Sequence, residues 1–270
     1  MDKFTQNSIK SILSKYQIHP KRYMGQNFLI DENVLEKIIE SAELSKNDTI
    51  LEIGPGLGIL TIELAKRVKK VIAIEKDKTL YQTLKKILEK QKINNVELIN
   101  GDILNTSYKL QATSYKLIAN LPYYITSPVI RKFLEAEQKP EIMILMVQKE
   151  VAQRITAKPP KMSILSVAVQ FYAEPEIITY VSKKSFYPKP KVDSAIIKII
   201  PRPYVGRATS HINTEKFFNL VKRGFSAKRK MLKNNIPEID FEKLGLNPKV
   251  RAENLSIDDW LKVFHSSNIP

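Results

Sequence analysis

The segment NLPYYIT (120–126) follows directly on the apolar run YKLIA (115–119). Inside a strand Pro122 would interrupt the ladder, because it has no N–H to donate. Just past a strand it fixes a turn and pushes Leu121 into an extended conformation. Asn120 and two tyrosine rings are then held together at the edge of a sheet, where a flat polar group can dock. An aromatic amine such as adenine N6 is a poor nucleophile, since its lone pair is delocalised into the ring. Two acceptors on its hydrogens, the Asn120 side-chain oxygen and the Leu121 carbonyl, favour a pyramidal nitrogen with that lone pair freed. Tyr123 would stack on the base. Methyl transfer then needs mainly alignment with a donor and exclusion of water. No strong general base is required, because the methylated amine cation readily loses its proton. The plainer alternative is a strand-ending proline turn whose tyrosines only pack.

A donor site stands upstream. In LEIGPGLG (51–58) a strand runs into Gly54, Gly56 and Gly58 before a helix begins. Glycines there let the backbone turn sharply and approach a ligand closely. A dinucleotide would call for G-x-G-x-x-G, but the last position is Ile59. The G-x-G-x-G spacing better suits S-adenosyl-L-methionine, which has no pyrophosphate to cradle. Glu75 closes the next strand, where an acid could bind both ribose hydroxyls. In GDIL (101–104), Asp102 could accept the exocyclic amine of the cofactor's adenine while Ile103 packs on its ring. A merely structural glycine turn and an ordinary Gly-Asp turn stand as the alternatives. The weight comes from position, since ligands of open α/β sheets collect at the carboxyl ends of the strands.

The elements that must position these residues are legible as alternating runs. TILEI (49–53), KVIAIE (70–75), VELIN (96–100), YKLIAN (115–120) and EIMILMVQ (141–148) read as strands. LGILTIELAKRV (57–68), KTLYQTLKKILEK (78–90) and SPVIRKFLEAE (127–137) read as helices, the second with Leu80, Leu84, Ile87 and Leu88 on one face. Apolar strands alternating with helices imply a mostly parallel sheet covered on both faces, here a seven-stranded Rossmann-like α/β domain. KMSILSVAVQFY (161–172) fits helix or strand, and its length favours a helix. EIITYVS (176–182) and VDSAIIKII (192–200) look like strands joined by the lysine-rich KKSFYPKPK, and PRPYVGRATS (201–210) is the best linker. The expected division is therefore a catalytic domain over 1–204 and a small all-helical domain over 205–270. In the latter, Ser256 and Asp259 form a capping box, with Leu255 and Trp260 at staple spacing.

Composition bounds the partner. The 270-residue chain carries 44 Lys+Arg against 28 Asp+Glu, a formal net charge of +16, and the excess grows denser after residue 200. Such a surface suits a polyanion, most often nucleic acid. KRGFSAKRKMLK (222–233) holds six basic residues and no acid, and KKSFYPKPK (183–191) four lysines and no acid. Candidate phosphate contacts are Arg154, Lys158, Lys161, Lys189, Lys191, Lys222, Arg223, Lys228, Arg229 and Lys230. A solvated helix face is the alternative for any one run. There is no cysteine, which excludes disulfides and thiolate metal sites, and the three scattered histidines suggest no metal. The start lacks an apolar leader and no stretch approaches 18 consecutive apolar residues, so no membrane span and a soluble, cytoplasmic protein are expected.

Seven motifs occur in order: KRYMGQNFL (21–29), EIGPGLG, NLPYYIT, MVQKEVAQR (146–154), FYPKPKVDSA (186–195), RGFSAKRKML (223–232) and RAENLS (251–256). Over about residues 20–265 they closely resemble the bacterial small-subunit ribosomal RNA adenine dimethyltransferases. The resemblance implies S-adenosyl-L-methionine as donor and two adjacent adenines, in a hairpin loop near the 3′ end of small-subunit RNA, as target. Each adenine receives two methyl groups at N6. It also implies an immature 30S particle as partner and a monomeric enzyme. By motif, Gln26, Asn27 and Leu29 join Gly54, Gly56, Glu75, Lys76, Asp102 and Ile103 at the cofactor, while Asn120 serves both pockets. Phe186 would stack on the adenine face opposite Tyr123; read alone, it is a packing anchor. A stacked base must be flipped out, which loops and ends make cheaper.

Rival readings are a large-subunit ribosomal RNA adenine methyltransferase, DNA adenine or protein glutamine enzymes with a related Asn-x-Pro-Tyr motif, and a non-catalytic RNA-binding assembly factor. The positive charge argues against the glutamine enzyme. The intact glycine loop, Glu75 and Asn120 argue against a non-catalytic protein.

Overall fold

The computed structural model describes residues 6–105, 114–202, 212–227 and 229–267. In chain order the regular elements are α1 (Gln6–Lys15), β1 (Phe28–Leu29), α2 (Glu32–Ser41), β2 (Thr49–Ile53), α3 (Ile59–Ala65), β3 (Lys70–Glu75), α4 (Lys78–Lys90), β4 (Val96–Asn100) and β5 (Lys116–Asn120). Then come α5 (Thr126–Leu134), β6 (Met143–Gln148), α6 (Lys149–Ile155), α7 (Ile164–Tyr172), β7 (Ala173–Val181), β8 (Phe186–Tyr187) and β9 (Ser194–Pro201). The last are α8 (Thr214–Gly224), α9 (Leu232–Asn235) and α10 (Ile257–Ser266). They form two compact units.

The first unit takes the chain to Ala152 and regains it for Glu176–Pro201. Its sheet runs β4-β3-β2-β5-β6-β9-β7. The ladders from β4 to β6 are parallel, and β9 joins β6 antiparallel. Strands buried on both faces read as largely apolar runs, and Ile50, Leu51, Val71, Ile72, Leu117 and Ile118 are all at most 2% exposed. The helix α4 begins at an Asp77 N-cap and buries Leu80, Leu84, Ile87 and Leu88, the face its periodicity marks. A second, two-stranded sheet pairs Leu29 with Phe186 and Phe28 with Tyr187.

The second unit is Gln153–Pro175 with the chain from Arg202 onward. Its core gathers Met162, Val167 and Phe171 with Phe217, Leu220, Leu232, Leu255 and Trp260. The sequence put the division at 204/205, among residues outside the described ones, as are most of the expected linker and Lys228. The second unit also takes α7. Phe171 stacks on Phe217 at 4.7 Å between centroids and meets Phe218 edge-on, so this apolar helix completes the core of the C-terminal helices. At α10, Ser256 Oγ accepts from the Asp259 N–H at 3.1 Å and Asp259 Oδ2 from the Ser256 N–H at 3.1 Å, the expected capping box.

Candidate active site

The carboxyl ends of β2, β3, β4 and β5 open on one cleft with about 1120 Å³ of empty space, counting the part open to solvent. Every cofactor residue expected from the sequence lines it: Gln26, Asn27, Leu29, Gly54, Gly56, Glu75, Lys76, Asp102, Ile103 and Asn120. Leu121 and Tyr123 line it as well.

The glycine loop is shaped by positive φ angles of 66°, 60° and 83° at Gly54, Gly56 and Gly58. Glu75, at the end of β3, locks this loop. Its Oε2 accepts from the Gly56 N–H at 3.0 Å and its Oε1 from the Asp77 N–H at 2.8 Å. Burial raises the Glu75 carboxyl above the usual range, and the two N–H donors temper the rise. Asp102, past β4, is ion-paired with Lys76 at 2.9 Å and accepts from the Leu104 N–H at 3.0 Å. Lys76 holds its carboxyl below the usual range.

A further wall of the cleft is the segment 24–29. Gly25 lies against Pro122, so close that a Cβ there would stand 3.2 Å from Pro122 Cβ. Asp77 pins the segment: its Oδ1 caps α4, while its Oδ2 takes Gln26 Nε2 at 3.1 Å and Lys21 Nζ at 2.8 Å. Gln26 therefore both lines the cleft and is bonded to Asp77. Asn27 presents its carbonyl to Asn120, which donates Nδ2 at 3.2 Å. That bond commits the donor end of the Asn120 amide and leaves Oδ1 as its acceptor end. The Leu121 N–H donates to the Met146 carbonyl of β6 at 3.3 Å, which steadies the turn.

Tyr123 is held by a 2.8 Å bond between its hydroxyl and Ser194 Oγ at the start of β9. Burial raises this hydroxyl's pKa, Ser194 tempers the rise and the Asp193 charge adds to it, so Tyr123 is a neutral ring in the cleft wall. Phe186, expected to stack on the adenine opposite Tyr123, is not among the residues lining the cleft. It is 3% exposed and packs in the core with Phe28 and Leu29, because the β1–β8 pairing turns its ring inward. Tyr123 and Tyr124 are the aromatic residues of the 120–126 turn that line the cleft.

Arg154, Lys158, Lys161, Lys222, Arg223, Arg229 and Lys230 are exposed on the second unit, and Lys189 and Lys191 on the first. Arg223 is ion-paired with Glu238 at 2.7 Å. Sequence reasoning missed Asp77, Ser194 and Glu52, the last a cleft residue only 2% exposed. Asp77 carries a readable signal, a helix N-cap two residues past a strand-ending acid. The motif FYPKPKVDSA contains Ser194 but does not reveal its bond to Tyr123.

Residues 17–268 match the model of the ribosomal RNA adenine dimethylase family. The chain belongs to that family. A curated relative from Dehalococcoides mccartyi strain BAV1, the ribosomal RNA small subunit methyltransferase A, is 44% identical over 94% of this chain and 90% of its own. Two solved structures share the fold of this family member. A dimethyladenosine transferase from Plasmodium falciparum is 30% identical with a TM-score of 0.76, covering 87% of this chain and 95% of that one. The 23S rRNA methyltransferase ErmE is 28% identical with a TM-score of 0.75, covering 88% and 98%. Among the described residues no helix is long and apolar enough to cross a membrane.

Proposed function

We propose that this cleft transfers methyl groups to N6 of two adjacent adenines in the 3′-terminal hairpin loop of small-subunit ribosomal RNA, with Asn120, Leu121 and Tyr123 holding each base. The chain is an adenine dimethyltransferase acting on ribosomal RNA, and its donor is S-adenosyl-L-methionine. The residues present fit that donor. The glycine loop lets a ligand approach the backbone, two buried or half-buried acids end adjacent strands, and one cleft wall carries an acidic oxygen that makes no hydrogen bond of normal geometry among the described residues.

Sheet order supports the division of labour. Asp102, Glu75, Gly54 and Asn120 lie at or just past the ends of β4, β3, β2 and β5, which are neighbours in that order. Asp102 and Ile103 would hold the donor's adenine and Glu75 its ribose, which puts the methionyl end over β2, beside Asn120. When bound, the donor supplies an electrophilic methyl group on a sulfonium. The chain's part is to position and to dry the site. Asn120 Oδ1 and the Leu121 carbonyl accept the amine hydrogens, Tyr123 stacks, and the wall of 24–29 excludes water. The single observation that carries this reading is the Asn120 bond to the Asn27 carbonyl, which turns the amide oxygen into the acceptor the chemistry needs.

The reading extends to an immature 30S particle as substrate, met by a monomer in the cytoplasm. The +16 charge supports an RNA partner, and the exposed basic residues of both units are the proposed phosphate contacts. The test is incubation with labelled donor and undermethylated small subunits, followed by nucleoside chromatography. Label in N6,N6-dimethyladenosine, lost in Asn120→Ala, supports the assignment. Label confined to monomethyladenosine, or no label while the RNA still binds, overturns it.

A further inference from the structure

One side chain in the cleft is left without a task by the donor reading. Glu52 lies on β2, paired in the ladders with Ala73 of β3 and Ile118 of β5, and so sits between the Glu75 and Asn120 sides of the site. It lines the cleft and is 2% exposed. Its Oε2 makes no hydrogen bond of normal geometry among the described residues, and the Thr61 hydroxyl of α3 lies beside the carboxyl as a nearby donor. Its charged neighbour is Glu75, of like sign. The acid on α3, Glu63, is already ion-paired with Lys66 and Arg67. Contrast Glu75, each of whose oxygens takes a backbone N–H.

A buried carboxylate with neither a cation nor a full set of donors takes up a proton instead of staying charged. Burial pushes Glu52 up to about 8; Thr61 tempers that rise and the Glu75 charge adds to it. The methionyl end of the donor, which the reading above puts over β2, carries an ammonium and a sulfonium. We propose that Glu52 is a neutral acid in the ligand-free cleft and becomes the buried counter-ion of the donor's cationic methionyl end, releasing its proton as the donor binds. In that step the Glu52 O–H bond breaks, the proton passes to solvent, and the carboxylate left behind balances the arriving positive charge. No electron transfer is involved. The inference rests on the donor assignment, and it makes donor affinity pH-dependent. Between pH 6 and 7, affinity should rise close to tenfold per unit, the slope for one proton released.

The experiment is calorimetric titration of the full-length protein with S-adenosyl-L-methionine at pH 6.5, in buffers of different ionisation enthalpy. The donor's own ammonium stays protonated there, so a released proton comes from the protein. Release approaching one proton per site is expected, falling towards zero in Glu52→Gln and persisting in Glu75→Gln. Binding without proton release, or release undiminished in Glu52→Gln, overturns the proposal. If Glu52→Gln does not fold, the wild-type infrared band of a protonated carboxyl serves, and it must disappear on adding donor. S-adenosylhomocysteine, which keeps the ammonium and lacks the sulfonium, then tells the partner: equal release assigns the ammonium, reduced release the sulfonium. A wild-type protein that binds no donor at all would defeat the donor assignment itself.

Discussion

Three glycines allow backbone strain and crowding to be separated in one molecule. A Cβ on Gly58 would stand 2.3 Å from Leu84 Cδ1, at a backbone φ of +83°. Leu84 is fully buried among Ile62, Ile87 and Leu88, so it cannot swing aside. The left-handed conformation costs an L-residue roughly 1–2 kcal/mol, and overpacking adds about 1–3 kcal/mol. Gly58→Ala should therefore lose about 2–5 kcal/mol, a large share of the ~5–15 kcal/mol that holds a domain folded. Gly245, at φ +70° with nothing within 4 Å of a Cβ, carries the strain without the crowding. Gly245→Ala should cost about 1–2 kcal/mol. Gly224 carries the crowding without the strain, since a Cβ there would meet Trp260 Cη2 at 2.3 Å, and Trp260 is fully buried. Gly224→Ala should cost about 1–3 kcal/mol. Urea denaturation followed by circular dichroism reads all three, with m unchanged. A Gly58→Ala loss no larger than that of Gly245→Ala would refute the claim that Leu84 is immovable.

Glu75→Gln faces two N–H donors with a side chain that offers only one acceptor, so one of them loses its partner. Charged hydrogen bonds of about 1.5–3 kcal/mol are at stake, and donor Kd should rise on the order of 10–100-fold by calorimetry. If many Lys and Arg contact phosphates, RNA affinity should fall by orders of magnitude between about 50 and 200 mM salt; a flat dependence in filter binding would remove the basic-surface reading. Ser256→Ala breaks the capping box of α10 and should cost about 1 kcal/mol of stability, read as a shift in the denaturation midpoint with no effect on donor affinity.

Much of the site was legible because glycines, acids and prolines mark strand ends. The alternation of apolar strands and amphipathic helices located β2 through β6, and with them Gly54, Glu75, Asp102 and Asn120 at one edge. What stayed hidden depends on partners far apart in the chain. A two-residue strand such as Phe28–Leu29 has no periodicity to read, so its pairing with Phe186–Tyr187 is not visible in the sequence. Glu52 looks in sequence like any polar residue within a strand; only burial without a cation beside it makes it a chemical question. The helix α7 was recognisable as a helix, but its membership of the second unit rests on Phe171 meeting Phe217, which no local pattern encodes.

The tie between β1 and β8 does not stop at two residues. Ile30 donates its N–H to the Ser185 carbonyl at 2.9 Å, and Ser185 Oγ donates to Asp31 Oδ2 at 2.8 Å. On the ribosome, residues 28–31 emerge more than 150 residues before the segment that anchors them. A nascent chain ending short of residue 185 can therefore carry the glycine loop, Glu75 and Asn120 while its cleft wall has no partner to pair with. Tyr123 waits equally for Ser194. The donor pocket is thus finished by the later part of the chain, so ligand binding in a truncation series would report when the whole first unit has been made.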